Sequence, residues 1–163
     1  SVNTPIEKIP VYQRGGSIVP KQIRVRRSSK LMRYDPYTLV IALDSSGAAQ
    51  GDLYLDDFHT FAHEQGAYVH RHFKMVQAGP NGVLTSEDAA GGQGGKQGFA
   101  PINTVERIVV LGFKAAPKSI TTKAGASLDF IFDATTNTLT VRKPGMKVAE
   151  DFEVTFDSTT VGL

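Results

Sequence analysis

The 163-residue chain has no cysteine and no tryptophan. Without cysteine there is no disulfide framework, no thiol nucleophile and no thiolate metal site, although the absence of disulfides does not exclude an oxidising compartment. Without tryptophan the chain lacks the largest flat ring for stacking on a ligand. No run of about 18 apolar residues is present, which argues against a membrane-spanning helix, and no amphipathic helix with a basic face suggests membrane-surface binding. The sequence begins at Ser1, without Met or a signal-peptide apolar core, and reads as an internal or processed piece of a soluble protein. A formal charge of +2 is small. Its basic residues gather mainly in Lys21 to Arg33, where they alternate with Ile23, Val25 and Leu31.

What the chain does have is period-two alternation. Short apolar-alternating runs separated by Gly, Pro, Asn and Asp predict an all-β fold, an antiparallel β-sandwich. Strands are expected at Ile9–Gln13, Ser17–Arg26 with a break at Pro20, Tyr37–Leu43, Asp52–Leu55, Ala67–Val76, Val105–Leu111, Ser119–Thr122, Leu128–Phe132, Leu139–Arg142 and Phe152–Phe156. Leu128, Phe130 and Phe132 would face a core together with Leu139, Val141, Phe152, Val154 and Phe156, and "DATTNT" suits a hairpin turn. Residues 78–100, "AGPNGVLTSEDAAGGQGGKQGFA", are rich in glycine and small polar residues and read as a long flexible loop. This loop lacks the lysine-serine or lysine-threonine ending of a phosphate-binding loop.

The chemistry-bearing residues crowd into "GDLYLDDFHTFAHEQGAYVHRHF", Gly51 to Phe73. Asp56 and Asp57 invite comparison with the two carboxyls of a glycosidase, which flank one scissile bond about 5 Å apart in a retaining enzyme. Adjacent residues at a strand end diverge to opposite faces, so a turn role, accepting backbone N–H bonds near Phe58 and His59, is the expectation. His59 and His63 have the spacing of a helical zinc pair, yet "HTFAH" lacks the intervening Glu and lies between strands. His70 and His72 would share one strand face with no third ligand in sight. No catalytic, cofactor or metal residue is assigned. The stripe "KQIRVRRSSK" interleaves aliphatic rather than aromatic residues, which favours a solvated face, or one facing acidic groups, over nucleic-acid binding.

Resemblance adds what spacing does not. "IPVYQRGGSIVP", Ile9 to Pro20, followed by "PYTLVIALDSSGAAQGDLYLDDFHTF", Pro36 to Phe61, and "GAYVHRHF", Gly66 to Phe73, resembles the region with which family 31 glycoside hydrolases continue beyond their catalytic barrel. "RVRRSSKLMRYDPYTLVIAL", Arg24 to Leu43, and "VRKPGMKVAEDFEV", Val141 to Val154, are most similar to the branch that acts on N-glycans in the endoplasmic reticulum. Phe58 stands where many members have Gly, so the turn there is expected to depart from the common form.

The resemblance implies a division into residues 1–35, the end of a proximal C-terminal β-domain, and 36–163, a distal β-sandwich. It places the catalytic aspartates in a preceding (β/α)8 barrel of the same subunit, outside this chain. It further implies removal of terminal α-1,3-linked glucose from glucosylated high-mannose N-glycans with retention of configuration, a regulatory beta subunit as partner, residence in the endoplasmic reticulum lumen, and neither nucleic-acid binding nor membrane insertion. The alternative is a free-standing carbohydrate-binding β-sandwich, for which Tyr34, Tyr37, Tyr54 and Tyr68 are the candidate platforms.

Overall fold

The computed structural model describes residues 2–79, 81–89 and 99–158. Among them are ten strands: β1 (Ser17–Lys21), β2 (Tyr37–Ala42), β3 (Ala48–Leu55), β4 (Val69–Ala78), β5 (Asn81–Asp88), β6 (Thr104–Leu111), β7 (Ser119–Thr122), β8 (Phe130–Asp133), β9 (Thr138–Lys147) and β10 (Phe152–Asp157). The helical segments among these residues are two four-residue 3-10 turns, Ser29–Met32 and Ala62–Gln65. The strands join in one sheet of order β7-β10-β5-β4-β3-β1-β2-β6-β9-β8. Pairing is antiparallel throughout except for β1 with β3 and β2 with β6. The all-β class expected from alternation is the class observed.

The sheet closes over one apolar cluster, and the alternation supplies it. In β4, Val69, Phe73 and Met75 point inward while His70, His72 and Lys74 point out, and β6 buries Val105, Ile108 and Val110. Phe113, just beyond β6, meets Phe156 of β10 with ring centroids 5.6 Å apart, so residues from opposite halves of the strand order share the core. Arg71 is the charged member of the inward row of β4. Its Nε donates to Ser86 of β5, and its guanidinium pairs with the exposed carboxylate of Asp151 just before β10, which offsets the cost of a buried charge.

Three expectations require correction. Residues 78–100 are not one loop, because β5 occupies Asn81–Asp88 and pairs with both β4 and β10. Its inward positions Leu84 and Ser86 are buried, as is Gly82, where an added Cβ would lie 3.0 Å from the Met75 methyl and 3.3 Å from the Val76 carbonyl oxygen. The rest of that stretch, residues 90–98, lies outside the described residues. Ile9–Gln13 alternates but forms no strand, since its side chains have nothing to cover them: Ile9 and Val11 are 86% and 87% exposed. The strand beginning at Ser17 runs through Pro20 and stops at Lys21 rather than reaching Arg26. Pro20 is tolerated because β1 meets β3 only at Ser17, leaving the proline with a ladder partner on one side.

β1 lies within the segment expected to finish a proximal domain, yet all five of its residues pair with β2. Gly51 of β3 makes the close approach on the other side possible, since a Cβ there would lie 2.0 Å from the carbonyl oxygen of Ile18. Gly51→Ala is therefore expected to push β1 off β3 and destabilise the fold by about 1–3 kcal/mol. Urea denaturation checks this; an unchanged midpoint would mean that β1 is not held against β3.

Candidate functional site

The candidate site is the turn after β3, residues 55–66, with the surfaces on either side of it. Asp56 Oδ1 accepts the backbone N–H of Phe58 at 2.8 Å. Asp57 Oδ1 accepts those of His59 and Thr60 at 3.0 and 2.9 Å, and its Oδ2 accepts the Thr60 hydroxyl at 2.6 Å. These bonds, with the Thr60 hydroxyl contributing most, hold the Asp57 carboxyl well below the usual carboxylate range. Two other turns use the same device. Asp44 caps the β2–β3 turn through Ser46 and Ala48, and Asp133 caps the β8–β9 turn through Thr135 and Thr136, each carboxyl again lowered chiefly by the hydroxyl it accepts. Asp57 thus does what two plainly structural aspartates do.

The turn so held is strained. Phe58 has φ 58°, in the left-handed region that glycine enters freely and that costs an L-residue with a side chain about 1–2 kcal/mol. The residue is 63% exposed, so burial within this chain does not offset that cost. A phenylalanine thus holds a backbone conformation suited to glycine.

The histidines divide into two groups. His59 and His63 do not share a helical face, because the 3-10 turn begins only at Ala62; His63 Nδ1 lies 3.9 Å from Asp56 Oδ2. His70 and His72 do share the outward face of β4, and both look toward Asp52 of β3, His72 Nδ1 at 3.0 Å and His70 Nε2 at 3.7 Å. Among the described residues no group of three or more His, Asp or Glu is arranged to hold a metal ion.

Of the candidate sugar platforms, Tyr37 is withdrawn: it is buried in the core, and burial pushes its hydroxyl up to about 12. Tyr54 and Tyr68 stack on one another at 5.2 Å, and Tyr34 carries the Arg33 guanidinium 5.3 Å from its ring centre. The basic stripe is partly neutralised from within. Arg24 pairs with Glu106 at 2.9 Å, and Arg26 grips the buried Asp35 through two nitrogens.

Two clefts flank the turn, of about 450 and 360 Å³. The larger lies between Ser29–Met32 and residues 57–59; the smaller lies between Leu55–Asp56 and residues 99–103. Arg33, Tyr34 and Phe58 line both. Sequence reasoning did not single out Phe58 as functional, and the signal available was its place directly after an aspartate pair that caps a turn.

No family model matches the chain. It is 46% identical over 153 residues to neutral alpha-glucosidase AB of Dictyostelium discoideum, covering 93% of this chain and 16% of that protein. A crystal structure of the glucosidase II alpha subunit superposes with a TM-score of 0.77 at 34% identity, covering 95% of this chain and 18% of that one. A crystal structure of an endoplasmic-reticulum glucosidase II heterodimer, consisting of the catalytic subunit and the binding domain of the regulatory subunit, matches with a TM-score of 0.76 at 35% identity over 93% of this chain and 18% of that one. The chain thus spans about one sixth of the length of the curated relatives it matches.

The carboxyl of Asp57 is depressed in the folded state, so its contribution to stability is present above the ordinary carboxylate pKa and is lost as pH falls through the folded value. Asp57→Ala is expected to lower the melting temperature at neutral pH, with the gap from wild type narrowing steadily below about pH 4. Paired thermal melts across pH test this, and a gap that does not change with pH would dissociate the carboxylate charge from the turn.

Proposed function

Because the chain belongs to glycoside hydrolase family 31, in its neutral alpha-glucosidase group, and corresponds to the C-terminal β region there, we propose that it serves as the accessory β region of a retaining α-glucosidase. The parent enzyme removes terminal α-1,3-linked glucose from glucosylated high-mannose N-glycans in the endoplasmic reticulum lumen. A catalytic barrel earlier in the same subunit supplies the nucleophile and general acid, forming and then hydrolysing a glucosyl-enzyme intermediate. The regulatory beta subunit of a glucosidase II is the protein partner. Residues 1–35 finish a proximal β-domain and 36–163 form the distal one, with β1 the strand at which the two meet.

The observation that carries this reading is 46% identity over 93% of the chain to a neutral alpha-glucosidase, joined to carboxylates that are engaged in turns rather than aimed at a shared point. A region of this kind contributes by bracing the loops of a neighbouring site, since catalytic groups must be held to within about 0.5 Å. Among the described residues no helix is long and apolar enough to cross a membrane. A free-standing carbohydrate-binding module is less well supported, with Tyr37 in the core and Tyr54 and Tyr68 stacked on each other.

The test is hydrolysis of a terminal α-1,3-linked glucoside by the full-length parent, with the released anomer followed by NMR. Initial release of α-glucose is expected, and β-glucose or no hydrolysis overturns the proposal. In the same enzyme, Asp56→Ala with Asp57→Ala should reduce yield and thermal stability while leaving turnover per folded molecule near wild type. A folded double variant slowed by orders of magnitude would place these acids in the chemistry.

A further inference from the structure

The large apolar side chains left in solvent are not spread evenly. Ile6, Ile9, Val11, Tyr12, Val25 and Leu31 are all more than half exposed, as are Phe58, Phe61 and Ile102. Contiguous exposed apolar surface marks a contact site. The two clefts flank Phe58, and Ile102 lines the smaller of them.

Resting on the functional reading above, we propose that Phe58 is the anchor by which this β region docks onto the preceding part of its own polypeptide, its ring gripped by an apolar surface of the parent. Three observations converge on that occupant. The relatives are about six times longer than this chain, which covers 16% of the first of them, so ample polypeptide is available to cover the surface. Much of the exposed apolar surface lies in residues 6–31, the side from which that polypeptide arrives.

Finally, Phe58 stays exposed on a backbone that favours glycine. Aromatic anchors seated in desolvated pockets dominate binding energy at protein interfaces, which supplies the compensation missing within this chain.

The experiment uses the full-length parent. In hydroxyl-radical footprinting, Phe58 is expected to be as protected as the buried Phe73, and reactivity typical of a free surface phenylalanine overturns the proposal. Phe58→Gly relieves the left-handed strain, so an uncovered Phe58 would make this variant more stable. Docking reverses the sign: the thermal midpoint of the full-length enzyme is expected to fall, and an unchanged or raised midpoint overturns the proposal whatever the labelling shows. Should Phe58→Gly fail to accumulate, Phe58→Asn, also at ease in this conformation, reads the same sign.

Protection that appears only after adding an α-1,3-glucosylated oligosaccharide makes the clefts a sugar subsite, and protection that appears only after adding the regulatory subunit makes them that subunit's contact. Either result overturns docking within the chain. Hydrolysis of α-1,3-linked glucose by the same preparation keeps the tests separate. An active enzyme with a reactive Phe58 defeats this inference alone, and an inactive one defeats the functional reading irrespective of Phe58.

Discussion

Five residues, Ser17–Lys21, splice the sheet together. On one side of β1 lie β3, β4, β5, β10 and β7; on the other lie β2, β6, β9 and β8. The seam is secure on one flank, where every residue pairs with β2, and narrow on the other, where Ser17 alone pairs with Gln50. Gln50 N–H also donates to the Gly16 carbonyl, and the missing side chain of Gly51 lets the backbones approach. The core depends on this seam, because Phe113 from one side of it and Phe156 from the other must meet across the same interior. The clefts depend on it too, since β1 leads directly into residues 22–35, which form one wall. That wall is tied down by Gln22, and by Asn103 donating to the carbonyls of Arg33 and Asp35.

The absence of an evident catalytic centre in this chain has a physical basis in how its acids are used. A carboxylate that accepts two backbone N–H groups and a hydroxyl is stabilised as the anion and is a poor proton donor. Asp57 is in that position, and Asp44 and Asp133 are close copies of it. Asp35 is committed to Arg26, whose two hydrogen bonds lower its carboxyl further from the range useful to a general acid. The turn residues are thus arranged to fix backbone geometry, and in the 57–60 turn the conformation they fix is the one that presents Phe58 to solvent.

Much of the fold was legible because most strands bury one face. Leu139 and Val141, or Val154 and Phe156, declare themselves at period two, and their partners are close in sequence. β5 was hidden for the opposite reason. "NGVLTSED" buries glycine and serine at inward positions beside one leucine, so its alternation is of size and fit rather than hydrophobicity, and its neighbour β10 lies far along the chain. Ile9–Gln13 and Ile23–Val25 misled in the reverse direction, carrying alternation without a ladder partner among the described residues. Apolar alternation reports that a face will be covered, not that this chain covers it. The turn chemistry of Asp56 and Asp57 was readable from residue type, whereas the left-handed backbone at Phe58 was not, because phenylalanine carries no local preference for it.

That last distinction also orients the molecule. The strands at the two ends of the sheet order, β7 and β8, are four residues each; β7 is built of serine, threonine and one buried isoleucine, and β8 ends in a charged aspartate. Short edge strands discourage pairing with other chains. The opposite condition holds around residues 6–31 and Phe58, where apolar side chains stand in water and one of them sits on strained backbone. A sheet that is guarded at its open edges and left apolar where its chain enters has one surface suited to permanent contact. That asymmetry favours attachment at the chain's entrance over a module that meets its partners from any side.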